Sequence, residues 1–211
     1  NILITGGAGY IGSVALRYLQ KQGHTVSILD NLSHGHRDAV PDDVLFFEGN
    51  VGDFDTIVPK DHPIDGVVHL AALISVAESM EKPELYWQNN VIETTRLLAA
   101  LRGRSIKKLV FASTAAVYGN PTEIPITESA STSPTNVYGA TKLAMDMAIT
   151  IEAQTHGLSA TSLRFFNVAG AYDGAGERHP TETHLVPLAI AAAKSQQPLT
   201  LFGADYDTKD G

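Results

Sequence analysis

The sequence predicts an α/β protein built around a doubly wound parallel sheet. Apolar runs of strand length alternate with amphipathic segments of helical length through the first 167 residues. This alternation is typical of parallel strands that are joined by right-handed helical crossovers. A hydrophobic content of 44% and a charged content of 18% indicate a globular chain with a sizeable core.

The predicted elements follow one another in a regular order. Strands are expected at residues 2–4, 25–29, 44–47, 65–70, 108–112 and 161–166, with the strand at 44–47 buried. Helices are expected at 11–19, 83–101 and 136–155, and Leu85 is among the residues expected to reach the core. Beyond Asn167 come a glycine-rich loop, a helix at 185–194 and a short strand at 199–202. We therefore divide the chain into a main domain, residues 1–167, and the incomplete beginning of a smaller, substrate-binding lobe, residues 168–211.

A glycine-rich turn joins the first strand to the first helix. Gly6, Gly9 and Gly12 give the spacing G-x-x-G-x-x-G, and Gly7 with the last two also satisfies G-x-G-x-x-G. In a strand–turn–helix context, one glycine allows the chain to reverse, another lets a pyrophosphate approach the backbone, and the last lets the helix pack closely. The turn therefore predicts a dinucleotide site in a Rossmann-like domain.

The second and third strands end in residues suited to an adenosine. Asp30 ends the second strand eighteen residues after Gly12, where its carboxylate can accept hydrogen bonds from both ribose hydroxyls. Because a carboxylate repels a 2′-phosphate, we expect NAD rather than NADP. Asn50, after the third strand, fits either an adenine contact or an ordinary turn. The small residues Ala71 and Ala72 after the fourth strand leave room for a ligand.

Charge and composition exclude several function classes. The formal net charge is −8, and no run of Lys or Arg is long enough to follow a nucleic-acid backbone. The chain contains no cysteine, no secretory leader and no apolar stretch of about eighteen residues, so we expect no membrane span and a cytoplasmic location. His34 and His36 are interpreted as solvated loop residues, and no metal site is predicted. Because the chain begins inside a strand without Met, we expect part of a longer protein.

A Tyr and a Lys four residues apart are candidates for proton transfer. Tyr138 and Lys142 lie on one face of a predicted helix, where a nearby ammonium would favour the phenolate. Thr114 follows the fifth strand, at the edge where ligands bind in this architecture, and its hydroxyl can both donate and accept. Ser113 is an equally available hydroxyl from the sequence alone.

These motifs, in this order, resemble the extended short-chain dehydrogenases/reductases. They are T-G-G-A-G-Y-I-G, D-N, S-T-A-A-V-Y-G, Y-G-A-T-K and R-F-F-N, and within that family they are most similar to the UDP-glucose 4-epimerases. The resemblance implies that Tyr138 is the catalytic base, that Lys142 supports it and holds the nicotinamide ribose, and that Thr114 is the family's hydroxyl residue. It also implies NAD as resident cofactor, UDP-galactose and UDP-glucose as substrates, and a homodimer.

The turn, the strand ends and the resemblance together give the predicted contact residues. For the cofactor they are Gly6, Gly9, Tyr10, Ile11, Gly12, Asp30, Asn31, Asn50, Val51, Leu70, Ala71, Ala72, Ile74, Asn89, Tyr138, Lys142 and Phe166. For the substrate they are Thr114, Tyr138, Asn167, His184, Leu185, Thr200 and Phe202.

Differences from the family bear on the exact reaction. Related dehydratases carry Asp-Glu after the catalytic Thr, whereas this chain has Ala115 and Ala116, so dehydration is not expected. Ile74 replaces a frequent Lys, Asn50 a frequent Asp, and His184 an Asn of some members. Two alternatives stay open: an epimerase of UDP-N-acetylhexosamines or UDP-uronates, and a non-catalytic NAD-sensing regulator.

Overall fold

The computed structural model describes residues 1–179, 182, 184–200, 203 and 205. The chain divides into two compact units, Asn1–Gly176 and Glu177–Gly211. Residues 168–176, which the sequence analysis placed in the second part, therefore lie in the first unit. That the second unit begins a substrate-binding lobe stays a prediction.

The first unit contains the predicted parallel sheet. Its six strands are β1 (Ile2–Thr5), β2 (Val26–Asp30), β3 (Leu45–Glu48), β4 (Gly66–His69), β5 (Lys108–Thr114) and β6 (Ser159–Phe165). They pair in the order β3-β2-β1-β4-β5-β6, and every pair is parallel. The strand order reverses between β1 and β4, and in open α/β sheets ligands bind at the carboxyl ends of the strands at this point.

Helical segments connect the strands. The α-helices are α1 (Tyr10–Lys21), α2 (Phe54–Ile57), α3 (Val76–Glu81), α4 (Pro83–Tyr86), α5 (Glu93–Gly103), α6 (Val137–His156) and α7 (Leu185–Ser195). A π-helical segment, Trp87–Ile92, joins α4 directly to α5, and a 3-10 segment, Ala115–Tyr118, follows β5. Among the described residues, no helix combines the length and the apolar character needed to cross a membrane.

The sheet has an apolar core on each face. Successive side chains of a strand point to opposite faces, so Leu3 packs with Leu97 and Phe111 whereas its neighbour Ile4 packs with Leu16 and Ile28. Residues on both faces of β1 and β2 are buried, which explains why these strands are continuously apolar in sequence. The predicted doubly wound α/β fold is confirmed.

Two burial predictions are wrong. The strand at 44–47 was expected to be buried, but β3 is an edge strand and Leu45 is 50% exposed. An edge strand has a neighbour on one side only, so the sheet covers it incompletely. Leu85 was expected in the core, but it is 44% exposed, because the π-helical segment interrupts the α-helical register assumed for residues 83–101.

Candidate active site

The glycine turn between β1 and α1 lies where the strand order reverses. Gly6 has φ +72°, and a Cβ added there would lie 2.6 Å from the backbone nitrogen of Ala71, which follows β4. A Cβ on Gly12 would overlap the carbonyl oxygen of Gly6. The turn therefore packs backbone against backbone on two sides. Gly9 is the N-cap of α1 and supplies no side chain there, so the helix presents its first backbone N–H groups to an anion.

Asp30 joins the end of β2 to this turn. Its carboxylate is 7% exposed, and its Oδ2 accepts a hydrogen bond from the backbone N–H of Ala8 at 3.0 Å. Its Oδ1 accepts from the backbone N–H of Leu32 at 2.8 Å. A carboxylate oxygen has two lone pairs, so each oxygen retains acceptor capacity for a ribose hydroxyl.

Neighbouring strand ends complete this edge of the sheet. The Asn31 side-chain amide donates to Asn50 Oδ1 at 2.8 Å, which links the ends of β2 and β3. Val51 is buried directly after Asn50. Leu70 donates its N–H to the Thr5 carbonyl at 3.0 Å, so the segment from Leu70 to Ala72 starts beside the glycine turn. Ile74, further along, is 48% exposed.

The structure brings the Thr114 hydroxyl close enough to the Tyr138 phenol to lower the pKa of that phenol by hydrogen bonding. Thr114 is the last residue of β5 and is 8% exposed, and its Oγ1 accepts the N–H of Ala116 at 3.2 Å, which leaves its hydroxyl proton for the phenol. Ser113 instead donates to Asp146 Oδ2 at 2.9 Å. This geometry identifies Thr114, rather than Ser113, as the hydroxyl beside Tyr138.

The pKa of the Tyr138 phenol depends mainly on its burial. Burial raises the pKa of the phenol above its usual value, and the hydrogen bond with Thr114 lowers it by a smaller amount. Desolvation of the negative phenolate thus outweighs the hydrogen bond with Thr114. That the Lys142 ammonium and an oxidised nicotinamide ring together favour the phenolate stays a prediction.

Lys142 lies one helical turn after Tyr138 and is 3% exposed. Its ammonium donates to the Ala112 carbonyl at 2.9 Å and lies 4.9 Å from the centre of the Phe111 ring. Burial lowers the pKa of Lys142 to about 8, and the nearby Asp146 carboxylate acts in the opposite direction. The Lys142 ammonium is therefore held near the carboxyl end of β5, one helical turn from Tyr138 along α6.

Three buried polar residues around the site were not recognised from the sequence. The hydroxyl of Ser79 accepts the backbone N–H of Tyr138 at 3.1 Å and so fixes the first turn of α6. His69 is 1% exposed, and its two ring nitrogens contact the hydroxyls of Thr5 at 2.6 Å and Thr94 at 2.9 Å.

The third such residue, Asn90, lies in the π-helical segment and is 2% exposed. Its amide accepts the N–H of Leu73 at 2.9 Å, donates to the Leu73 carbonyl at 3.0 Å, and donates to Thr141 Oγ1 at 3.2 Å. Thr141 in turn donates to the Tyr138 carbonyl at 2.7 Å. The only signal in the sequence was the polar pair at 89–90 inside an apolar helix, and it did not indicate these partners.

The remaining predicted cofactor and substrate residues of the first unit differ in their contacts and exposure. The Tyr10 hydroxyl donates to the Gly170 carbonyl at 2.6 Å, Ile11 is half-buried, and the Asn89 amide donates to Asn90 Oδ1 at 2.9 Å. Phe166, just after β6, is 64% exposed, and Asn167 is exposed as well.

The other four substrate candidates belong to the second unit. His184 is the N-cap of α7, Leu185 begins that helix, and Thr200 is exposed. Phe202 lies outside the described residues, as does part of the strand predicted at 199–202.

Comparison with known proteins gives extensive matches. The family model described as "NAD dependent epimerase/dehydratase family" matches residues 2–210. The chain is 52% identical over 211 residues to the UDP-glucose 4-epimerase of Corynebacterium glutamicum, covering all of this chain and 64% of that protein. The chain thus spans slightly less than two thirds of this curated relative.

Solved structures show the same similarity. The UDP-glucose 4-epimerase from Brucella ovis, in complex with NAD, is 39% identical with a TM-score of 0.90, over all of this chain and 66% of that chain. The UDP-glucose-4-epimerase from Stenotrophomonas maltophila, with bound NAD and formylated UDP-arabinopyranose, is 38% identical with a TM-score of 0.92, over all of this chain and 67% of that chain. With its parallel sheet, glycine turn and Thr–Tyr–Lys group, the chain belongs to the NAD dependent epimerase/dehydratase family.

Proposed function

We propose that the full-length protein is an NAD-dependent nucleotide-sugar 4-epimerase that interconverts UDP-galactose and UDP-glucose through a 4-keto intermediate. The observation that carries the proposal is the contact between Thr114 and Tyr138. Tyr138 lies one helical turn before the buried Lys142, and Thr114 ends β5 at the edge of the sheet that also bears the glycine turn. The names of the relatives support the same reaction.

The residues at the strand ends fit NAD. The Gly6–Gly12 turn is packed so closely that a Cβ at either glycine would strike backbone, and its helix end suits a pyrophosphate. Asp30, already aligned by two backbone N–H groups, suits the adenosine ribose. When bound, NAD would accept a hydride from C4 of the sugar and return it, and its oxidised ring would add the positive charge that favours the phenolate of Tyr138.

The chain's own residues would handle the proton. Tyr138, as phenolate, takes the proton of the C4 hydroxyl while the carbon is oxidised, and gives it back when the carbon is reduced on its other face. Thr114 donates to the phenolate and can also accept from the sugar, so it orients both groups. Lys142, one helical turn from Tyr138, would support the phenolate and hold the nicotinamide ribose, and the Ala112 carbonyl accepts a hydrogen bond from its ammonium.

The neighbouring residues favour epimerisation over elimination. Ala115 and Ala116, which follow Thr114 in the 3-10 segment, have no group that can exchange a proton with the sugar. UDP-N-acetylhexosamines and UDP-uronates are alternative substrates, because the same Thr–Tyr–Lys group would act on them. A non-catalytic NAD-sensing regulator is disfavoured, since it would have no use for this group.

A substrate panel on the full-length protein tests the proposal. We expect the purified protein to contain NAD and to convert UDP-galactose to UDP-glucose, as measured by chromatography of the nucleotide sugars. Preferred conversion of an N-acetylhexosamine or uronate derivative would replace the proposed substrate. Tight NAD binding without conversion of any of these sugars would favour the regulator.

We also propose that the full-length protein works as a homodimer in the cytoplasm. Met147 and Ile151, one turn apart on α6, are 64% and 55% exposed, and an apolar pair on a long helix is suited to packing against a second copy. The molar mass from light scattering tests the homodimer. A monomer at micromolar concentration would contradict it.

A further inference from the structure

Four potential metal ligands lie together in the unit that begins at Glu177. They are Glu177, His179, Glu182 and His184, and one ligand atom from each lies within 4.8 Å of the other three. No step of the proposed proton chemistry uses this cluster. It consists of two imidazoles and two carboxylates within eight residues of sequence, so one short segment supplies the whole set.

The backbone orients both carboxylates within the cluster. Glu177 Oε1 accepts the N–H groups of Arg178 at 2.9 Å and His179 at 3.1 Å. Glu182 Oε1 accepts the N–H of His184 at 2.7 Å and also contacts the Nδ1 of that residue at 2.7 Å. The two imidazole rings lie 5.5 Å apart with an interplanar angle of 32°. The four side chains therefore converge on one small volume.

The His179 ring has an unusual contact inside this volume. Its Nδ1 is inaccessible to solvent and, among the described residues, has no partner with acceptable hydrogen-bond geometry. It nevertheless lies 2.5 Å from Glu177 Oε1. A buried polar atom without a hydrogen bond is costly, and a close carboxylate that is badly aligned does not satisfy it. Coordination of a cation would satisfy the nitrogen and the oxygen together.

We propose that Glu177, His179, Glu182 and His184 bind one divalent transition-metal ion, and that zinc is the best fit. Zinc takes imidazole nitrogen and carboxylate oxygen at about 2.0–2.2 Å, which places tetrahedral ligand atoms about 3.4 Å apart. Side-chain rotation can bring atoms that lie within 4.8 Å to that spacing. Magnesium and calcium prefer oxygen ligands throughout, so the two imidazoles select against them.

The charge balance and position indicate a structural ion. Two carboxylates neutralise a divalent cation, which matters because His184 is the N-cap of α7 and the start of a helix disfavours positive charge. Four protein ligands close the coordination shell and leave no position for a reacting water. The ion would join Glu177 and His179 to Glu182 and His184, ahead of α7.

Zinc binding by the full-length protein tests this site directly. After incubation with zinc chloride and gel filtration, we expect about one zinc per chain by elemental analysis for the wild type. His179→Ala and His184→Ala should bind zinc at least about 100-fold more weakly in calorimetric titration. The control His24→Ala changes an exposed histidine outside the cluster and should bind as the wild type does.

Two further measurements separate zinc binding by these four residues from unfolding and from non-selective cation binding. Glu182→Gln retains the size and an acceptor oxygen but loses the charge, so we expect at least about tenfold weaker binding with an unchanged circular dichroism spectrum. Excess magnesium chloride should not displace the zinc. Wild-type protein that retains no zinc, or cluster variants that bind it as tightly as His24→Ala does, would overturn the proposal. These measurements report metal content and not turnover, so their outcome does not decide whether the protein is an epimerase.

Discussion

Asn90 lies in the π-helical segment Trp87–Ile92, and replacing it with Ala should destabilise the protein more than any change at an exposed polar residue of that segment. The Asn90 amide is 2% exposed and bonds both backbone groups of Leu73, itself only 9% exposed. Removing the amide leaves that N–H and that carbonyl without these partners. A buried polar group that loses its partner costs about 1–3 kcal/mol, so the two groups together give a loss of about 2–6 kcal/mol.

The assay is urea unfolding of the full-length protein, followed by circular dichroism. At an m-value of about 3 kcal/mol/M, a loss of this size lowers the urea midpoint by roughly 0.7–2 M. The matched control is Gln88→Ala, also in the π-helical segment, where an exposed amide donates to Glu93 Oε1 at 2.9 Å. Its unfolding free energy should stay within about 0.5 kcal/mol of the wild type.

The same change should also disturb the candidate site. Asn90 donates to the hydroxyl of Thr141, which lies between Tyr138 and Lys142 on α6. The expected loss of stability should therefore be accompanied by reduced turnover in the full-length protein. If Asn90→Ala and Gln88→Ala unfold at the same urea concentration, the reasoning that Asn90 joins the Leu73 segment to α6 is refuted.

Three further changes probe other parts of the site. Gly12→Ala should abolish NAD binding and lower the free energy of unfolding, because the added Cβ would overlap the Gly6 carbonyl. In the control Gly103→Ala the added Cβ meets open space, so this change should be neutral or stabilising by up to about 1 kcal/mol. Equal thermal midpoints for the two variants would contradict this prediction. Burial lowers the pKa of His69 from 6.5 to about 3, so only the unfolded state gains the proton as the pH falls below 6.5. The unfolding free energy should then fall by up to about 1.4 kcal/mol per pH unit towards pH 4, and His69→Gln should flatten that slope. Asp30→Ala should weaken NAD binding and narrow the preference over NADP in fluorescence titrations, and unchanged affinity for both would remove Asp30 from the ribose site.

The sequence predicted the elements whose causes are local. The strand, glycine turn and helix that open the chain follow from the spacing of three glycines and an apolar run, and Gly6 has the positive φ expected of a chain reversal. Alternating strands and helices were enough to predict the parallel sheet, because crossover geometry permits few alternatives. Tyr138 and Lys142 were recognised because four residues form one helical turn.

Features that depend on distant contacts were not predictable in this way. The partners of Asn90 lie 17 and 51 residues away, so its role depends on how three segments pack. The exposure of Leu45 depends on its strand lying at the edge of the sheet. The pKa of Tyr138 could not be judged from the sequence either, because burial, which the sequence does not quantify, raises it by more than the Thr114 hydrogen bond lowers it.

Turnover by Tyr138→Phe in the full-length protein tests the central claim most directly. The change removes one oxygen, the phenol oxygen whose pKa the Thr114 hydroxyl lowers and which is proposed to carry the proton. We expect the variant to retain bound NAD while the conversion of UDP-galactose to UDP-glucose falls by about 10²–10⁴-fold, the usual contribution of a general base. Conversion at the wild-type rate would show that the proton is carried by another group and that the proposed mechanism is wrong.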